Sequence, residues 1–410
     1  MSADCQLQDK FVLGVVLEVE PDDGGAFYQA QNMVNGLLCK ESELPCAIVV
    51  YSTRDETIEY FGQQGLHVKK IKRGLLRKHL DLLVRNLPSV SWKKIFYKLL
   101  GASAFERYII SQKVDLVYFL SPSGLACDLV STNYIFTVWD LCHREQPEFP
   151  EVRDAYEIQR RDELLRDVLP RAAAVIADSE RNKSMLASLY GLFPERVRVI
   201  PFSPARFSSD IKVNNAGNDH HLPNDVAQRP FIFYPAQLWP HKNHKYIILA
   251  MSKLKERGRL HFNAIFVGKD RGNLAYLQDL LVKFSLQDNV KFLGNVNEAL
   301  MSELYEACSA VVMPTFFGPT NLPPLEAMKY GKPIVYSNLP GFDTQGYSNA
   351  YYVDLKDPGS LCDAVEDIFL KNPKFTSRME LDILNNNGFS EVKSILDQFM
   401  LRRSCWKRIE

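Results

Sequence analysis

Ala310-Val311-Val312-Met313-Pro314-Thr315-Phe316-Phe317-Gly318-Pro319-Thr320-Asn321-Leu322-Pro323-Pro324-Leu325-Glu326-Ala327-Met328 holds a strand, a loop and a helix start in one short stretch. The first four residues are apolar without alternation, as in a strand buried on both faces. Pro314 ends that strand, and a Gly/Pro/Asn loop follows. The spacing predicts a helix opening at Pro324 and reaching Lys329. Proline suits a first turn, because N–H groups there have no partner inside the helix.

The same alternation extends outward on both sides. Phe231 to Tyr234, Phe262 to Gly268, Val290 to Gly294 and Pro333 to Ser337 read as strands. His244 to Arg257, Leu274 to Phe284 and Met301 to Cys308 read as helices between them. Ser208 to Gln228 is polar, rich in Asn, Asp, His and Gly, and has no hydrophobic period. Before it runs an earlier series of strands: Phe11 to Leu17, Cys46 to Tyr51, Val114 to Leu120, Tyr134 to Val138, Ala174 to Ala177 and Val197 to Pro201. A helix from Phe27 to Leu38 follows the first of these.

Strands alternating with helices predict parallel sheets covered on both faces. The expected fold class is therefore α/β, with two doubly wound sheets. The boundaries fall at 1–205 for the first domain, 206–229 for a linker or long loop, 230–388 for the second domain and 389–410 for a terminal helix that packs back on the first. The length of 410 residues agrees with this, since domains commonly run to about 100–200 residues.

Hydrophobic residues make up 46% and charged residues 24%, an ordinary globular balance. The formal net charge is zero, so nothing global points to nucleic acid. No two of the eight cysteines lie two to four residues apart, so the local pairing of a zinc site is missing. They read as buried thiols of a reducing compartment. Met1 to Lys10 is polar and unlike a signal peptide. No run of about 18 apolar residues predicts a transmembrane helix.

The helix start offers chemistry. Its first-turn N–H groups and dipole make an anion site at Thr320, Asn321 and Leu322. Glu326 stands about one turn further in, where a carboxylate accepts two hydrogen bonds from a vicinal diol such as ribose. Together they describe a nucleoside diphosphate. A plainer reading stays open, in which Glu326 only complements the dipole.

This half of the chain resembles the retaining glycosyltransferases of family 4, the group 1 glycosyl transferases. Their signature holds two glutamates in a glycine-containing loop that ends in Leu-Pro-x-Leu-Glu-Ala. Leu322-Pro323-Pro324-Leu325-Glu326-Ala327 matches that end. The resemblance implies a GT-B fold, two Rossmann-like domains facing a central cleft. The first domain would be the acceptor side, and the second would bind the nucleotide sugar. Glu326 falls on the family's ribose-holding glutamate. The glutamate that touches the donor sugar falls on Gly318, a departure, in a loop that looks like a variant subgroup with Phe-Gly-Pro-Thr-Asn.

In the family, the first strand of this domain leads to Gly-Arg-Leu and then to a lysine pair, and the arginine and lysine bind the donor diphosphate. Lys242 matches the lysine, although a solvated lysine at a helix start is the plainer reading. Gln237 stands in place of the arginine, one cation fewer unless His241 or His244 adds charge. Gly268 and Gly294 end strands whose loops, in the family, flank the nucleobase; ordinary turns would look the same. Gly24 and Gly25 resemble the family's glycine loop facing phosphate and acceptor, or form a plain turn. Trp139 replaces a family histidine that touches the donor sugar. Asp140 or His143 is expected to line the cleft, unless Asp140 simply caps the next turn. Asp178-Ser179 caps a helix.

The resemblance thus implies retaining transfer of a hexose, mannosyltransferase-like, from a nucleotide-diphosphate sugar to a glycan or lipid-linked acceptor in cell-surface polysaccharide or lipopolysaccharide synthesis. Lys242, Asp140 and His143 are the catalytic candidates. The nucleotide sugar is a co-substrate, and neither a metal nor another cofactor is expected. Two alternatives remain: a non-catalytic nucleotide-binding paralogue, suggested by Gly318 and Trp139, and a nucleotide-sugar epimerase of the same fold.

Lys69, Lys70, Lys72, Arg73, Arg77, Lys78, Arg85, Lys93, Lys94 and Lys98 form a basic run interleaved with leucines and aromatics, with Asp81 its only acid. Such a segment suits an anionic bilayer or a solvated helix face. The expected location is cytoplasmic, at the inner face of the cell membrane.

Overall fold

The computed structural model describes residues 10–72, 81, 83–84, 95–96, 99, 101–204, 229–318, 321–341, 350–373 and 388–406. The chain divides into two units. Unit 1 holds Met1–Leu141, Ala155–Pro201 and Asn387–Glu410; unit 2 holds Cys142–Asp154 and Phe202–Asn386.

Unit 1 is a seven-stranded sheet of β1 (Val12–Val16), β2 (Ala47–Ser52), β3 (Val68–Lys70), β4 (Leu116–Phe119), β5 (Asn133–Val138), β6 (Ala174–Ala177) and β7 (Val197–Val199). The order is β3-β2-β1-β4-β5-β6-β7, and every pairing is parallel. Period-2 geometry sends Leu13, Val15 and Leu17 to one face, against Phe27, Met33 and Val34 of the helix Gly25–Cys39. Val12 and Val16 go to the other face, with Phe105 and Ile109 of the helix Ala104–Ser111. Burial on both faces explains why β1 carries no polar residue, each such side chain contributing about 1.5–3 kcal/mol.

The terminal helix Phe389–Arg403 joins the same core. Phe389, Val392, Ile395, Leu396 and Phe399 form one apolar stripe packed with the Leu13 face. Arg198 pairs with Glu391 and donates to Ser394 Oγ at 3.2 Å.

Unit 2 is a six-stranded sheet of β8 (Phe231–Pro235), β9 (Asn263–Val267), β10 (Val290–Phe292), β11 (Ala310–Met313), β12 (Ile334–Ser337) and β13 (Tyr351–Val353). Its order is β10-β9-β8-β11-β12-β13, again all parallel. Strand order reverses between β8 and β11. Open parallel sheets bind ligands beyond the carboxyl ends of the strands at such a reversal.

Three expectations need correction. The helix placed at Pro324 starts two residues earlier, spanning Leu322–Lys329, because Asn321 is extended and serves as N-cap. The helix expected from Met301 spans Glu298–Ala307, since Asn297 Oδ1 accepts the Leu300 N–H at 2.9 Å and fixes the start there. The first domain is not continuous over 1–205. The strip Cys142–Asp154 belongs to unit 2 because Phe149 packs on Phe316 and Phe317 there, at ring-centroid distances of 5.3 and 5.7 Å. The linker expected at 206–229 lies, apart from Arg229, outside the described residues.

Among the described cysteines, Cys46, Cys127, Cys142, Cys308 and Cys362 are buried and Cys39 and Cys405 exposed, all as free thiols. No described helix is long and apolar enough to cross a membrane.

Candidate active site

The loops after β8 and β11, neighbours at the reversal of unit 2, carry the site. From β8 the chain passes Gln237 and Trp239 into a short 3-10 turn, Pro240–Lys242. From β11 it passes Pro314 to Gly318 and reaches Asn321 at the start of Leu322–Lys329.

Two side chains tie these loops together. Lys242 Nζ donates to Asn321 Oδ1 at 3.1 Å. Asn321 Nδ2 donates to Tyr336 Oη at 2.7 Å and to the Gly318 carbonyl. Asn321 is thus spent on Lys242 and Tyr336 and makes no side-chain cap to its own helix. The link is reinforced because Phe316 N–H donates to the His241 carbonyl at 2.9 Å, and the Thr315 hydroxyl donates to the same carbonyl at 3.4 Å.

Gly318 has a backbone reason to be glycine. Its φ is 85°, and a Cβ there would stand 3.3 Å from Asn321 Oδ1. A glutamate at this position would be strained and would press on the acceptor atom of Lys242.

Glu326 lies inside the helix, 6% exposed. Tyr305, on Glu298–Ala307, donates its hydroxyl to Glu326 Oε2. Burial first, and then the Glu326 charge, push the Tyr305 hydroxyl pKa well up, so it stays a donor. Tyr305 is held in turn by stacking on Tyr330 at 5.3 Å and 3°.

The β9 loop closes on the β8 loop. Gly268 Cβ would lie 2.4 Å from the Ala236 carbonyl oxygen, so only glycine fits. Gly268 N–H donates to the Gly294 carbonyl at 2.8 Å, and Leu238 N–H to the Lys269 carbonyl at 3.0 Å. Gly268 and Gly294 therefore sit together. Arg271 reaches back from this loop. Its Nε donates to Gln237 Oε1 at 3.0 Å, and its guanidinium carbon lies 5.3 Å from the centre of the Trp239 ring. Gln237 Oε1 also accepts from Trp239 Nε1 at 3.0 Å. Arg271 thus brings a cation beside position 237.

The two histidines beside Lys242 differ. His244 is fully buried between Tyr234 and Phe266, with ring centroids 4.6 and 5.0 Å away. Burial, then the charge of Lys242, lower its pKa to about 3. It is neutral at pH 7, so the charge considered for it is absent. His241 is 8% exposed, stacks on Phe317 at 3.9 Å and pairs through Nδ1 with Glu151.

The remaining expectations scatter. Thr320 lies outside the described residues, as do most positions of the 69–98 run. Gly24 (φ 65°) and Gly25 begin the helix Gly25–Cys39 after β1, at the reversal of unit 1. Asp140 stays in unit 1, with Oδ1 3.5 Å from Arg161 Nη1. His143 falls in unit 2 and is 2% exposed. Asp178 and Ser179 are structural: Ser179 Oγ accepts the Asn182 N–H at 3.2 Å. Among the described residues no group of three or more His, Cys, Asp or Glu is placed to hold a metal ion.

Against known families, residues 220–381 match the glycosyl transferases group 1. That stretch of the chain is therefore similar to the glycosyl transferases group 1. Among curated proteins, the O-antigen chain mannosyltransferase RfbU of Salmonella typhimurium is 27% identical over 206 residues, covering 50% of this chain and 53% of that protein. A glycosyltransferase of Methanocaldococcus jannaschii is 28% identical over 199 residues, covering 47% and 50%. The chain spans about half the length of the curated relatives it matches. Among solved structures, sucrose-phosphate synthase of Thermosynechococcus elongatus aligns at a TM-score of 0.63 and 17% identity, over 97% of this chain and 99% of that one. Anabaena HepE in complex with UDP-glucose aligns at 0.62 and 15%, over 96% and 100%. The two-unit α/β architecture is thus the GT-B fold. The matched stretch includes Lys242, Asn321 and Glu326. Arg271, Tyr305 and Glu151 were missed in the sequence, because each enters through a partner distant along the chain.

Proposed function

We propose that this chain is a retaining hexosyltransferase. It moves a sugar from a nucleoside-diphosphate donor to a glycan or lipid-linked acceptor in cell-surface polysaccharide synthesis. The observation that supports this most is the 3.1 Å bond between Lys242 Nζ and Asn321 Oδ1, which joins a cation to a helix start at the strand-order reversal. The similarity to O-antigen chain mannosyltransferases supports the sugar class.

In this reading the diphosphate lies on the helix start and Lys242, and Glu326 accepts from the ribose. The bond between the anomeric carbon and the diphosphate oxygen breaks. The acceptor oxygen bonds to that carbon on the same face, and its proton passes to the leaving diphosphate. Preorganised charge from Lys242, with Arg271 nearby, stabilises the leaving group. No resident cofactor takes part.

The acceptor side lies at an anionic membrane in this proposal. Asp81, the one acid of the basic run, is buried and accepts the Ala104 N–H at 2.9 Å. Leu83 and Leu99, in or beside that run, are 70% and 79% exposed. Vesicle flotation with anionic and neutral lipid tests this. Equal binding to both would remove the electrostatic component.

The donor is tested by thermal shift of the full chain with UDP-, GDP- and ADP-sugars, followed by release of nucleoside diphosphate with acceptor extracts. Binding without release in any acceptor extract would favour the non-catalytic paralogue. Interconversion of the donor without acceptor would favour the epimerase.

A further inference from the structure

We infer that Glu151 is a positioning residue for the donor site: it fixes His241, which clips the β11 loop to the turn carrying Lys242 and so sets Lys242 against Asn321. This rests on reading Lys242 as a diphosphate ligand.

Glu151 lies in the strip Cys142–Asp154 and meets the site from 90 positions away. One of its oxygens, Oε1, accepts both the His241 backbone N–H, at 3.2 Å, and the ring Nδ1. The two side chains are 8% and 10% exposed. A carboxylate so enclosed is held only by its partners. Burial pushes the Glu151 pKa up, but the His241 hydrogen bond and charge outweigh it and hold the carboxyl below its usual range.

His241 in turn is held on every side. Its ring lies flat on Phe317, 3.9 Å away at 17°. Phe149 closes the edge at 6.3 Å and packs on Phe316 and Phe317. Gln146 Nε2 donates to the Phe316 carbonyl at 2.7 Å, so a second residue of the strip grips the same loop. The His241 carbonyl takes the Phe316 N–H at 2.9 Å. The next residue is Lys242, whose backbone direction these contacts fix. Glutamine at 151 keeps a carbonyl acceptor but loses the charge that strengthens both bonds, so the turn is freed to shift relative to Asn321.

A double-mutant cycle on the full chain tests this, with UDP and GDP as probes in calorimetric titration. Lys242→Met, Glu151→Gln and the double variant are compared with wild type. Glu151→Gln is expected to weaken the preferred nucleotide about 10-fold. In the Lys242→Met background it is expected to weaken binding no further. A purely structural loss would lower affinity by the same factor in both backgrounds, and that outcome overturns the inference. So does a change within about twofold on Glu151→Gln alone. If Glu151→Gln does not fold, Glu151→Asp is carried through the same cycle. If Lys242→Met itself leaves affinity unchanged, or wild type binds neither nucleotide, the donor-site reading has failed and this inference falls with it. A loss in Lys242→Met without one in Glu151→Gln sinks only the inference.

Discussion

The loops after β11 and after β5 start alike. Both leave the carboxyl end of a parallel strand, and both run through proline and aromatic residues. They end differently. The β11 loop turns straight into its helix and meets the adjacent β8 loop inside one unit, through Asn321 and Lys242. The β5 loop divides, with Asp140 staying in unit 1 on Arg161 while Cys142–Asp154 joins unit 2. A strand end fixes where a loop begins. Where it settles depends on partners that local sequence does not name.

That contrast can be broken most directly at Lys242. Lys242→Met should reduce kcat/KM by about 100- to 1,000-fold, the usual cost of removing one preorganised charge from a transition state. Asp140→Asn should cost far less if the β5 loop's carboxylate serves mainly its ion pair with Arg161. Equal losses in the two variants would erase the distinction. Steady-state kinetics at saturating acceptor would decide it.

Gly318→Ala probes the same loop through its backbone. With φ at 85°, alanine should cost about 1–2 kcal/mol of stability. Its Cβ would crowd Asn321 Oδ1, so donor affinity should fall as well, about 3- to 10-fold. A urea midpoint that drops without any change in nucleotide binding would separate the turn from the site.

Much of this was legible beforehand, and for a plain reason. Apolar runs such as Val12–Val16 and Ala310–Met313 are buried on both faces, so composition alone marks them. Lys242, Asn321 and Glu326 are read from the sequence because they lie within a few residues of a strand end or helix start and fall on the family's motif. Arg271 was not, since its role appears only when the β9 loop is seen closing on Gln237. Glu151 gave no signal either, because its partner His241 is distant in the chain. β13 (Tyr351–Val353) is too short and too exposed to show a period.

His244 separates charge from proximity. It lies beside Lys242 in sequence, yet burial holds its pKa at about 3, below the ordinary 6.5. A lowered pKa means that the unfolded chain binds the extra proton first. The stability that neutral His244 contributes is therefore complete above about pH 6.5 and is lost as pH falls toward about 3, at up to about 1.4 kcal/mol per pH unit. Urea midpoints of wild type should fall more steeply between pH 7 and 5 than those of His244→Phe, which fills the same aromatic niche. Parallel curves would show that another group carries the acid sensitivity.

The smallest expected effect concerns Arg271. Its guanidinium is partly exposed and already engaged by Gln237 and the Trp239 ring, so water and those partners dilute its pull on a ligand. Arg271→Gln should weaken nucleoside diphosphate binding about 2- to 5-fold, and should flatten its dependence on salt, because one cation fewer is screened. Adding Gln237→Arg to that variant should restore part of the affinity by returning a cation to the β8 loop. If the double variant binds no better than Arg271→Gln alone, then Arg271 acts by holding the β9 loop closed. Charge would then be concentrated at Lys242, and the two loops of the reversal would differ more sharply than their hydrogen bonds suggest.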